Sequence, residues 1–132
     1  MGRFAISVVV LFVVSMALGF LVHAVLLGPE YAKLTNLFRQ EADQKSFFGA
    51  MLAAHVFIAV GLTWIYTHGK EAKPWLGQGL RFGLAVAVLT VIPTYLIYLA
   101  VQPMPVDLVL KQIVFDTIAM LVMGVVVAFV NK

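Results

Sequence analysis

The side chains of this sequence that could do chemistry together are His23, His55, Tyr95, Tyr98, Gln112 and Asp116, and each lies inside a long apolar stretch. An imidazole beside a carboxylate can pass a proton, because histidine gains and loses one near neutral pH. Tyrosine hydroxyls and a glutamine amide extend such a pair by donating and accepting hydrogen bonds. Two histidines and an aspartate are also a generic ligand set for a transition metal. Two histidines on facing helices are the axial pair of a haem. No two histidines stand four residues apart, so the spacing selects neither metal nor haem and no cofactor is assigned. The plainest reading is a satisfied polar network that fixes helix register, ahead of a proton or ion relay and of a cofactor site.

The elements that must position these residues follow from composition. The 132 residues are 63% hydrophobic and 11% charged, with a mean hydropathy of +1.04. A chain this short cannot hide so many apolar side chains from water, because small domains have too much surface for their volume. A helix needs about 20 mostly apolar residues to cross a bilayer. Stretches 4–27, 47–67, 79–101 and 108–130 qualify. The expected fold is all-α, an integral membrane four-helix bundle forming a single domain over 1–132, with membrane lipids as its surroundings. Gly28-Pro29, His68-Gly69-Lys70 and Gln102-Pro103-Met104-Pro105 supply the stops. Ser46 and Asp107 are expected to cap the second and fourth spans. The first apolar stretch is longer than a cleaved leader requires, so it is expected to stay as a span.

Alternating helix direction carries every member of the polar set to the half of the membrane near the first loop. Asp116 lies about 13 Å along the fourth helix from Asp107. Ser15, Gly19 and His23 share one stripe, and Gln112, Asp116 and Met120 another. Small residues at four-residue spacing let backbones approach in lipid, where apolar packing alone gives little preference. Ser15 and Gly19, Gly49 and Ala53, Gly79 and Gly83, and Gly124 and Ala128 have that spacing. Packing within one chain is expected for them, with Gly79 and Gly83 as the alternative dimer seam. Pro93 should kink the third span, with Thr90 and Thr94 near the freed carbonyl. In the first loop Tyr31, Leu34, Leu37 and Phe38 mark a short amphipathic helix at the headgroups or over the bundle mouth.

Net charge +3 comes without a basic run, so nucleic acid is not an expected partner. With no cysteine, disulfides, Fe–S clusters and thiolate zinc sites are excluded. No G-x-S-x-G, H-E-x-x-H or phosphate-binding glycine loop is present, and an enzyme is not expected. The pairs His55 with Gly61 and Asp116 with Gly124 suggest a duplicated helix pair. Stretch 23–31, Ile92-Pro93-Thr94-Tyr95, Met104-Pro105 and stretch 112–116 resemble small four-span bacterial inner-membrane proteins of unknown function. That resemblance implies no activity. Lysine and arginine counts favour both termini in the cytoplasm. The leading expectation is a non-enzymatic accessory subunit or small homo-oligomer. A proton, ion or small-molecule transport module comes second, and a haem or metal redox carrier third.

Overall fold

The computed structural model describes residues 2–132, which are helical apart from short connections, with no strand among the described residues. The helices are α1 (Arg3–Leu26), α2 (Gly28–Lys33), α3 (Glu41–Gly69), α4 (Trp75–Val101) and α5 (Val106–Val130). Four of them, α1, α3, α4 and α5, are long and apolar enough to cross a membrane. A helix suits that task because it satisfies its own backbone N–H and C=O groups where water is absent.

The ends depart from expectation at two places. α3 begins at Glu41, before Ser46, which therefore caps nothing. Its polar first turns stabilise themselves: Arg39 pairs with Asp43 at 2.7 Å and lies 3.8 Å over the Phe47 ring. Asp107 also fails as a cap, because Pro105 precedes the helix and Asp107 sits within its first turn. There its charge suits the positive helix end without any capping hydrogen bond. Gly28-Pro29 does end α1, and the proline then opens α2 at a position where its missing N–H is harmless.

α5 is the centre of the arrangement, packed along α4 on one side and against α1 on the other, while α1 in turn holds α3. The α4–α5 seam is the tightest. A Cβ on Gly79 would stand 2.7 Å from the Gly124 carbonyl oxygen, and one on Gly83 would stand 2.5 Å from that of Met120. These glycines are thus packed from within the chain, by the backbone of α5. Gly49 is different, with nothing within 4 Å of an added Cβ. The expected seam at Gly49 and Ala53 is absent because the first half of α3 stands clear of the other helices, exposing Phe47, Phe48, Met51 and Phe57.

Two π-helical turns interrupt the odd spans, Phe20–Leu26 in α1 and Ala87–Val91 in α4. The second sits immediately before Pro93. Ile92 N–H bonds the Ala87 carbonyl, and the Thr90 hydroxyl donates to Val86 O at 2.7 Å. The wide turn takes up the register lost at the proline. Pro93 therefore follows an irregular turn, but the carbonyl it frees is not the one the threonines reach: Thr90 bonds Val86 O, and Thr94 makes no side-chain hydrogen bond among the described residues.

At the end away from the first loop, Asn131 Nδ2 donates to Ser7 Oγ at 2.8 Å and Lys70 Nζ donates to Asn131 O at 2.9 Å. At the other end Val22, Leu27, Met104, Leu108 and Val109 form an apolar plug covered by Tyr31, Leu34, Leu37 and Phe38. The loop residues pack over the helix ends. Only Gly28–Lys33 of that segment is helical, because Leu34 leaves the helix and its carbonyl instead accepts from Leu37 and Phe38 in a turn.

Candidate functional site

The polar network grows from His23. The π-turn of α1 carries this residue, and a π-turn shifts the side chains that follow it around the axis. Ser15 and Gly19 lie before the shift and face α3. His55 Nδ1 is 3.0 Å from Ser15 Oγ, and that hydroxyl is 3.0 Å from the Phe12 carbonyl. Since the carbonyl can only accept, the serine proton goes to it and His55 donates from Nδ1. Gly19 leaves room for the ring, since an added Cβ would lie 3.1 Å from His55 Cε1.

His23 faces α5 and the first loop. Its Nε2 is 3.2 Å from Asp116 Oδ1, and its Nδ1 is 2.8 Å from the Tyr31 hydroxyl. Gln112 Nε2 donates to the same hydroxyl at 3.1 Å, and the Tyr95 hydroxyl donates to Asp116 Oδ2. One proton arrangement gives each of these contacts a donor and an acceptor, with only the buried Gln112 Oε1 left without a partner. Gln112 donates to Tyr31, Tyr31 donates to Nδ1 of a neutral His23, and Nε2–H donates to an ionised Asp116, which also accepts from Tyr95. The Asp116 side chain is 17% exposed and His23 is 38% exposed. On the far side of Asp116 a cavity of about 240 Å³ is lined by Thr90, Val91, Thr94, Tyr95 and Tyr98.

The six expected residues therefore separate. His23, Tyr95, Gln112 and Asp116 join in one network. Tyr98 stacks edge-on against Tyr95, with centroids 6.4 Å apart, and lines the cavity. His55 pairs with Ser15 instead. The two histidines lie in different contacts, with the His23 nitrogens on Tyr31 and Asp116 and His55 Nδ1 on Ser15. Among the described residues no three His, Asp or Glu side chains gather as a metal cluster.

Tyr31 is the member that sequence reasoning missed. Its place among the apolar residues of the loop hid a hydroxyl that two polar partners reach. α2 holds it there: Lys111 bonds Glu30 at 2.6 Å, and the Phe38 ring lies 4.5 Å from that of Tyr31. Burial pushes the Tyr31 phenol up to about 12, with the charges of Asp116 and Glu30 acting the same way and the Gln112 hydrogen bond opposing them. The fold thus favours the protonated phenol, a contribution present below the unfolded value near 10 and lost as pH rises toward 12. An ultraviolet titration of wild type minus Tyr31→Phe should show one phenol ionising near pH 12. A midpoint near 10 would mean that Tyr31 is not seated on His23.

The fold and the site together define an all-helical protein with four potential membrane spans and a carboxylate–imidazole–phenol network at one end. The chain belongs to the family described as protein of unknown function (DUF1761), whose family model matches residues 6–128. No curated protein and no solved structure matches it.

Proposed function

We propose that this protein is an integral protein of a bacterial inner membrane, with both termini cytoplasmic, that relays protons through Tyr31, His23, Asp116 and Tyr95. The observation that carries the reading is the unbroken hydrogen-bonded chain in which both His23 nitrogens are engaged, one by a phenol and one by a carboxylate. A proton taken up at Tyr31 Oη displaces the phenol proton onto His23 Nδ1. His23 then gives its Nε2 proton to Asp116. The acid releases it through Tyr95 toward the cavity at Thr94 and Tyr98, and His23, a side chain 38% exposed, regains its starting tautomer as Nδ1 gives a proton to water and Nε2 takes one back. No enzymatic reaction is proposed. A proton path also gives a reason for an acid within a span, where insertion costs about 2.5–3.5 kcal/mol.

Reconstituted into liposomes carrying an internal pH dye, the protein should dissipate an imposed pH gradient faster than empty liposomes do. Asp116→Asn should return the rate to that of empty liposomes, and an unchanged rate would sink the relay.

A second reading, a subunit of a homo-oligomer or larger complex, is favoured by the first half of α3, whose Phe48, Met51 and Phe57 have no partner helix. Native mass spectrometry from membranes should then release a species heavier than one chain, and release as a bare monomer would exclude it. In this proposal the four spans form a bundle of two duplicated helix pairs. α1 and α4 each carry a π-turn while α3 and α5 carry none, although the turns fall at different heights.

A further inference from the structure

At the end opposite the polar network, α3 and α4 are joined by a short loop that is held rigidly by one side chain. Gln78 Oε1 accepts from the Glu71 backbone N–H at 2.7 Å, and its Nε2 donates to the carbonyls of Glu71 and Lys73 at 2.8 Å each. The amide thereby fixes the loop against the first turns of α4, and a cavity of about 400 Å³ opens beneath it. Lys70, Lys73 and Arg81 line the cavity, with Glu71 as the one acid.

These cations are not equivalent. Lys73 pairs with Glu71, and Lys70 has one of its three donors on Asn131 O. Arg81 has no hydrogen-bond or ion-pair partner among the described residues. Its planar fork of donors suits the oxygens of a phosphate. α4 starts at Trp75 with no acid in its first turn, so its positive end adds to the field. Toward the apolar part of the helices the cavity is walled by Tyr66 and Phe82, whose rings meet edge to face at 5.3 Å. Cationic above and aromatic below, the site has the layout of the membrane interface, where basic pockets between helices take lipid headgroups.

We propose that this cavity binds a phosphate group, with Arg81 and Lys70 as its principal ligands and Gln78 as the residue that positions the loop. The group can come from an anionic phospholipid or from free inorganic phosphate, since both present the same oxygens. A lipid would also lay its chains along Tyr66 and Phe82.

The test is native mass spectrometry of the full chain in neutral detergent, titrated with phosphatidylglycerol, with phosphatidylcholine and with inorganic phosphate. One anionic lipid per chain should be retained, at least tenfold more tightly than phosphatidylcholine, and Arg81→Gln should weaken it about tenfold. Retention of inorganic phosphate by wild type and not by Arg81→Gln, with displacement of the lipid, would identify the free anion as a ligand in its own right. Lipid retention without any phosphate binding would identify the lipid. Arg3 lies at the same end but outside the cavity, where it donates to Lys132 O at 3.0 Å. Arg3→Gln should leave retention unchanged. Equal loss with Arg3→Gln and Arg81→Gln would show diffuse attraction to a basic surface and overturn the site, as would no selectivity between the two lipids. Circular dichroism of both variants checks that any loss is not unfolding.

Discussion

Gly83→Leu should separate α4 from α5 and cost about 3 kcal/mol or more, the upper end of what overpacking usually does. The reason is what surrounds the missing side chain. A Cβ there would lie 2.5 Å from the Met120 carbonyl oxygen and 2.8 Å from the Leu121 Cα. Both are backbone atoms of a continuous helix and cannot rotate away. Gly79 and Gly124 meet the same seam, so α4 cannot slide to a roomier register without a new clash. Gly61 and Gly77 provide the contrast, since an added Cβ at either meets nothing within 4 Å. Alanine at those positions should be neutral or stabilising by up to about 1 kcal/mol, the helix-propensity difference. Unfolding in mixed micelles with rising SDS reads all of these. If Gly83→Leu unfolds at the wild-type midpoint, the helices do not approach as closely as the geometry requires.

The seam was legible in the sequence because four-residue spacing of small residues is a local pattern, whereas its partner was not. The pattern favours packing within the chain for Gly79 and Gly83, with a dimer face as the alternative, and what no local pattern names is the partner, Gly124 on the adjacent helix. The spans were legible for a similar reason, since about 20 apolar residues in a row admit few other structures. What escaped was every feature set by a break in periodicity. The shared stripe of Ser15, Gly19 and His23 assumed an unbroken α-helix, but the π-turn at Phe20–Leu26 sends His23 to Asp116 and leaves Ser15 to His55. Tyr31 was assigned by its apolar neighbours, and its hydroxyl found partners 8 and 81 residues distant in sequence. Ser46 looked like a cap because the polar residues before it resemble a loop, yet Glu41–Gln44 is already helical.

Asp116→Asn should abolish proton flux while leaving the protein folded, and Asp116→Leu should do both kinds of damage. The asparagine keeps a carbonyl oxygen for the Nε2–H of His23. At the other position it places an NH2 group where Tyr95 donated, so the tyrosine must turn its hydroxyl and accept instead. The exchange replaces hydrogen bonds to a charged group, worth about 1.5–3 kcal/mol each, by neutral ones worth about 1 kcal/mol. A loss of about 1–4 kcal/mol for the two bonds on that scale is compatible with a folded protein. Leucine returns nothing to either donor, and His23 N–H and Tyr95 O–H left without partners cost about 1–3 kcal/mol apiece. Tyr31→Phe adds the complementary result. It removes the phenol that feeds His23 Nδ1 but leaves the Asp116–Tyr95 bond in place, so flux should fall at least tenfold with a smaller change in stability. A network that only fixes helix register predicts a different ordering, in which all three variants share whatever flux wild type shows and differ only in their unfolding midpoints. Flux through Asp116→Asn at the wild-type rate would leave the His23–Asp116 pair as a structural tie, because an amide cannot take up and release the proton that the relay needs.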